Sequence, residues 1–309
     1  MRDGSTGNDW EGRRYRGAVI LSQHAAQRRS ATFERVACVV AVTISLYVLA
    51  AGILYTIGNW TLEDMDAYWD AAMRLRAGEP LYREYADASA ANVYRYAPWF
   101  AFAWVPLTLL PKAVVGVLWS ALLLAASGAV LWPLLRARSM ASLAAAGLLG
   151  SFLLTISAVG NVHALMIVAL VFGIEHRSGA LWIAAAASLK AVPILFVLVY
   201  AARRQWGRVL VTGILTLALI GPMVFFDLTN YPTDPGDAGY SFFTSLPILW
   251  AAAATCLVGM AVLLAARRSA YAWLAMSVAV VAALPRTFGY DFSFVLAGLA
   301  GSHRRDSQD

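Results

Sequence analysis

Long apolar stretches without a single charge, broken by short polar segments, dominate the pattern along the chain. Val36 to Leu62, Ala113 to Leu135 and Val209 to Phe226 are three such stretches. A run of about 18 or more residues of this kind predicts a transmembrane helix. The runs are continuous rather than alternating, and lipid offers no partner to an open strand edge, so the spanning element is a helix. The expected fold is an all-α, polytopic transmembrane helical bundle.

The polar breaks divide this bundle. A first span is expected over Val36 to Ile57. Two polar segments follow later in the chain, Gly58 to Tyr96 and Asp227 to Phe243, and both are long enough to fold over a membrane surface. Arg residues concentrate on the cytoplasmic side of membrane proteins. Placing the N-terminal tail inside puts Gly58 to Tyr96 outside. The clusters Arg136/Arg138, Arg177, Arg203/Arg204/Arg208, Arg267/Arg268 and Arg304/Arg305 then all fall inside, on two conditions. Tyr96 to Pro111, with Pro98, Pro106 and Pro111, must lie along the outer interface, and Gly179 to Arg203 must form two short helices that meet near Lys190, ahead of Pro193. Treating both as ordinary spans instead strands Arg136, Arg138 and Arg177 outside. The favoured arrangement has about ten spans. It consists of a basic cytoplasmic tail at 1–35, a membrane domain at 36–302 whose residues 58–111 form an outer loop with interfacial helices, and a second cytoplasmic tail at 303–309.

Composition agrees with this picture. Of the 309 residues 60% are apolar and 14% charged, and the mean hydropathy is +0.64. Soluble domains carry roughly 25% charged residues. The first 35 residues hold seven Arg and no short apolar region with a small-residue cleavage site, so they are expected to be a tail and not a signal peptide. The net charge of +6 reflects topology, and no nucleic-acid partner is expected. Cys38 and Cys256, in or beside apolar runs, are expected to be buried thiols with no disulfide framework.

The favoured topology gathers Asp64, Asn161, His163, Lys190, Asp227, Arg286 and Asp291 at or near the outer face. The segment from Thr61 to Arg74 has apolar residues at Met65, Tyr68, Trp69, Ala72 and Met73, the stripe of an amphipathic helix lying in the headgroup layer. Asp64 and Tyr68 lie one turn apart on its flank, and Gly78 ends the helix. Thr61-x-x-Asp64 approximates a capping box, so a purely structural role for Asp64 stands beside a chemical one. Lys190 lies deep in apolar sequence, where a cation is costly and marks a functional site, with an anion as its natural partner; snorkelling to the interface is the plainer explanation. Arg286 is a second cation flanked by apolar spans, with a salt bridge to Asp291 as its ordinary explanation. Gly160-Asn161-Val162-His163 is a polar break between two apolar runs and, taken alone, a tight turn. One His without a companion His or Cys argues against a zinc site.

Three motifs occur in a fixed order. Asp64-Met-Asp-Ala-Tyr68 leads through Ala71-Ala72 and Gly78 to Leu81-Tyr82. Tyr96-Ala-Pro98 is followed by an apolar run and Pro106-Leu-Thr-Leu-Leu-Pro111. Leu189-Lys190-Ala-Val-Pro193 precedes the basic pair Arg203-Arg204. In this order they resemble the polyprenol-phosphate-mannose-dependent mannosyltransferases of the glycosyltransferase 87 family, within the GT-C superfamily. The resemblance covers roughly Val36 to Val209, with a fainter echo near Pro285. The chain departs from the family pattern where Gly-Gln-x-Asn becomes Gly160-Asn161-Val-His163, and where Tyr290-Asp291 stands near the place of a His in the last outer loop. It is also short for the family.

The resemblance implies a GT-C-like fold and transfer of a hexose, with inversion, from a polyprenyl-phosphate-linked sugar to the hydroxyl of a glycolipid or glycan at the outer face of the cell membrane. Asp64 is the expected base, with Asp66 second. Lys190 and Arg286, and then Arg95, are expected to hold the leaving phosphate. Tyr68, Tyr96, Asn161, His163, Tyr290 and Asp291 complete the expected substrate-binding set. The scheme requires no cofactor and no metal, and its other partners are membrane lipids. A multi-pass transporter or lipid flippase is the alternative, since it too would use an intramembrane Lys and broken helices; a non-catalytic membrane subunit is a third reading.

Overall fold

The structure is a computed structural model that describes residues 36–85, 90, 92–136, 139–233 and 239–299. The tails expected at 1–35 and 303–309 lie outside the described residues, as do Arg138, Arg304 and Arg305. The described chain is helical throughout, with no strand among the described residues and one isolated bridge, Gly239 to Thr287.

Four helices are long and apolar enough to cross a membrane: α1 (Val36–Gly58), α4 (Lys112–Arg136), α9 (Trp206–Ile220, extended by a 3₁₀ turn to Phe225) and α10 (Pro247–Ala266). The remaining helices are shorter: α2 (Glu63–Ala77), α3 (Pro98–Trp104), α5 (Met140–Ala158), α6 (His163–Gly173), α7 (Gly179–Leu189), α8 (Val197–Ala202) and α11 (Ala272–Ala282). The protein is therefore an α-helical membrane protein. Length alone supports four complete crossings among the described residues, since an 11-residue helix rises only about 16 Å against a hydrocarbon core of about 30 Å.

Long and short helices differ in what covers them. α1, α9 and α10 expose most of their apolar surface, with Ile57, Leu217 and Ile248 all at least 72% exposed, as helices facing lipid do. α6, α7 and α11 bury Ile167, Leu170, Ile183, Met276 and Val280 completely. Cys256 is exposed on α10 and Cys38 half-buried on α1, which corrects the expectation of two buried thiols. Both helices turn an apolar face outward, and a thiol on that face meets lipid. α1 and α5 approach closely through small residues. A side chain at Gly52 would strike Ser151, and one at Gly147 would strike the Ser45 backbone.

The helices meet in two polar layers at opposite ends of the bundle. At one end the C-terminal end of α5 docks on the start of α2: Leu62 N–H donates to Ala158 O (3.0 Å) and Asp64 N–H to Val159 O (2.9 Å). The free amides of one helix thus meet the free carbonyls of another. This replaces the expected capping box. Leu62 is the N-cap, in a left-handed conformation, and no side chain caps the helix. Gly78 does end α2, at φ +71°, with Glu79 N–H donating to Arg74 O (2.9 Å). At the other end Trp273 Nε1 donates to Glu175 (2.7 Å), and Arg203 lies 3.8 Å from the same carboxylate and over the Trp273 ring.

Candidate functional site

α2 packs on its neighbours through its apolar stripe. Its stripe is turned so that Met65, Tyr68, Ala71, Ala72 and Arg74 are buried against α3 and the turn between α5 and α6, while Met73 is exposed. Tyr68 is wholly enclosed, with its ring in contact with Tyr96, Phe100, Trp104 and Trp119. Aromatic pairs of this kind add about 0.5–1.5 kcal/mol each beyond area burial. The Tyr68 hydroxyl accepts from Val162 N–H (3.2 Å) and shares a hydrogen bond with the Tyr96 hydroxyl (3.1 Å). Tyr68 thereby binds α2 to the α5–α6 turn.

That turn is made by Gly160, at φ +83°, where a side chain would meet the Met65 Cβ at 3.0 Å. Trp119 Nε1 donates to the Gly160 carbonyl (2.7 Å). The turn aims Asn161 at α2. Asn161 Nδ2 donates to Asp64 (3.1 Å) and to the Tyr96 hydroxyl (3.4 Å), while its own carbonyl oxygen accepts from His163 N–H (2.9 Å). Both ends of the amide are therefore held. The Asp64 carboxyl is pushed up from 3.8 to about 6. Burial is the larger cause; the Asn161 hydrogen bond and the nearby charges of Arg95 and Lys190 oppose it.

A second group faces this one. Lys190 stands at the extended break after α7, and the following 3₁₀ turn (Val192–Phe196) leads into α8. The predicted meeting of two short helices near Lys190 is present. Its ammonium forms an ion pair with Asp291, which is fully buried, and lies 5.0 Å from the Tyr290 ring centroid. The other Asp291 oxygen accepts from Phe288 N–H (2.9 Å), which caps the 3₁₀ turn Gly289–Phe294. A salt bridge to Asp291 stood as the ordinary explanation of Arg286; the ion pair to Asp291 comes from Lys190, and the Arg286 guanidinium lies 4.6 Å from the Phe288 ring centroid. His163 joins the two groups. Its Nε2 shares a hydrogen bond with Ser293 (2.8 Å), and its ring packs against Tyr290 and Phe294.

Arg95 interacts with Asp64, Arg286 and Tyr290 together, and burial and the Arg286 charge hold its guanidinium below the usual range. Asp64, Tyr68, Arg95, Tyr96, Asn161, His163, Lys190, Arg286, Tyr290 and Asp291 thus belong to one connected cluster. Asp66 is elsewhere. It faces α4 and pairs with Lys112 at 2.9 Å. Asp227 is bound to its own loop through Thr229. The sequence pattern missed Ser293, Trp119 and Ser188, the last of which accepts from Trp99 Nε1 (3.1 Å) two residues before Lys190. Ser293 was legible only as a polar break in an apolar run, and Trp119 carried no signal.

Three cations and two carboxylates line this end of the bundle. The arrangement can hold an anion against Lys190, Arg95 and Arg286, and can take a proton on Asp64. Among the described residues no group of three or more His, Cys, Asp or Glu is placed to hold a metal.

Fold and cluster together define a multi-pass α-helical membrane protein with a polar site of net positive charge at one end. Comparison with family models, with curated proteins and with solved structures returned no match.

Proposed function

We propose that the chain is an integral membrane glycosyltransferase of the GT-C type. It moves a hexose, with mannose the first candidate, from a polyprenyl-phosphate sugar to a hydroxyl of a glycolipid or glycan. The observation that carries this reading is the meeting of Asp64 with Arg95, Lys190 and Arg286, from four separate parts of the chain, at one end of an apolar bundle. The Arg-rich turns near Arg203 and Arg267 belong to the other end, which supports a cytoplasmic N-terminus and a site on the outer face of the cell membrane.

In the proposed reaction Asp64 takes the proton of the acceptor hydroxyl as its oxygen attacks the anomeric carbon. The bond from that carbon to the phosphate oxygen breaks on the opposite face, and the configuration inverts. The lipid phosphate leaves as an anion held by Lys190, Arg95 and Arg286, where fixed charge shielded from water stabilises it strongly. A carboxylate with a pKa of about 6 is a better base near neutral pH than an ordinary one, and such help is worth about 10²–10⁴-fold. In the resting protein Asp291 balances Lys190 until phosphate arrives.

The test supplies purified protein in sealed vesicles with radiolabelled polyprenyl-phosphate mannose and a glycolipid acceptor. Label in a new, inverted product is the expected result. Label that crosses the vesicle wall without a new product would overturn the proposal and point to a transporter or flippase, the reading that a broken helix and a buried Lys–Asp pair also suit.

A further inference from the structure

Beside α2, away from the cluster, a groove of about 700 Å³ runs along the first half of α4. Trp60, Leu62 and Met65 line it from the side of α2, and Gly116, Val117 and Leu124 line it from α4. From Lys112 to Leu124 it extends about 18 Å along the helix axis, at the usual helical rise. α4 is one of the four helices able to span a membrane, so the groove descends into hydrocarbon. Its open side is apolar: Val117 is 70% exposed and Leu124 40%. The floor is Gly116, where an added side chain would press on Leu62 at 3.3 Å. About 12 Å down from Lys112, at the helical rise, Trp60 Nε1 donates to Ser120 (3.0 Å), while at the mouth Lys112 and Asp66 form their ion pair with 43% of each side chain exposed.

We propose that this groove binds one zwitterionic phospholipid of the surrounding bilayer, with its acyl chain along α4 and its headgroup at the Lys112–Asp66 pair. Two observations fix the occupant. An apolar groove lying open along a spanning helix fits an alkyl chain. Its mouth carries one cation and one anion 2.9 Å apart, neutral as a pair. A phosphate can accept from Lys112 while a primary ammonium donates to Asp66, and no charge is left over. An anionic lipid would leave Asp66 opposed by a like charge. Leu62 and Met65 also pack on Gly160, so an occupied groove braces the turn that aims Asn161 at Asp64. The inference stands independently of the proposed transfer reaction.

Native mass spectrometry of the full chain, released from nanodiscs of equal phosphatidylethanolamine and phosphatidylglycerol, tests it. One retained phosphatidylethanolamine per chain is expected. Lys112→Gln, and Gly116→Leu, which fills the floor, should each lower its occupancy about tenfold, a change of about 1.4 kcal/mol. Asp66→Asn should turn the preference towards phosphatidylglycerol. If Gly116→Leu does not fold, Val117→Trp closes the groove from its open side and should have the same effect. Equal retention of both lipids, wild-type retention in the filled variants, or a second copy of the chain seated there in place of lipid would overturn the proposal. So would exclusive retention of the glycolipid acceptor when it is included in the nanodisc.

Discussion

Asp64 and Asp66 stand two residues apart on one helix and live in different surroundings. Asp64 faces the α5–α6 turn, is half-buried, accepts from Asn161 and has its carboxyl raised to about 6. Asp66 faces α4, keeps 43% of its side chain exposed and pairs with Lys112. Two positions along a helix are turned by about 200°, so neighbours in sequence look in nearly opposite directions. The pair teaches that an acidic motif on a helix offers two carboxylates to two different neighbourhoods, and that only the packing of α2 decides which one joins the cations.

The two ion pairs repeat the contrast. Lys190–Asp291 joins segments far apart in sequence and leaves Asp291 without solvent; Lys112–Asp66 lies half in solvent at a groove mouth. Breaking a buried pair leaves an uncompensated charge, whereas an exposed pair contributes little.

The sharpest way to break the comparison is to exchange the carboxylates one at a time. Asp64→Asn should lower transfer from a polyprenyl-phosphate sugar by about 10²-fold or more, while Asp66→Asn leaves the rate at the wild-type order of magnitude. Equal losses in a radiolabel assay would remove the distinction. Next in size, Lys190→Gln should destabilise the protein by about 3–5 kcal/mol in thermal or denaturant unfolding in detergent, because Asp291 stays buried without its partner. Lys112→Gln should change stability by less than about 1 kcal/mol. A smaller loss, about 1–2 kcal/mol, is expected for Gly160→Ala, since the turn needs a left-handed conformation and a side chain there meets Met65.

The pH dependence sharpens the comparison further. Asp64 binds its proton more tightly in the folded chain than at its ordinary 3.8, so folding takes up a proton between about 3.8 and 6. Stability should fall as pH rises across that window, and Asp64→Asn should remove this part of the slope in Tm. The transfer rate should rise through about 6 as the base loses its proton. The smallest effect is expected from Asn161→Ala. It removes a hydrogen bond that favours the charged form, so the midpoint of the pH–rate profile should move upward.

Much of the fold was legible because lipid imposes a simple rule on the backbone. The three continuous charge-free runs correspond to α1, α4 and α9, and Lys190 with Pro193 marked the break between α7 and α8. The number of complete crossings was not legible in the same way. Helices of 11 residues read as spans by hydropathy, yet their burial among other helices lets them be shorter than the bilayer. In the candidate site the ionisable members stood out, since a charge in apolar sequence is conspicuous. Ser293 and Trp119 did not, because a hydroxyl and an indole are ordinary in a membrane helix until a partner is seen.

The sequence by itself determined that this is a helical membrane protein and which few polar residues are too costly in lipid to be incidental. Only the tertiary structure decided their pairing: Asp291 with Lys190, Asp64 with Asn161, Asp66 with Lys112. Hydrophobicity is a property of each residue and can be summed along the chain. A partner is a property of distance and direction, and those exist only once the helices have packed.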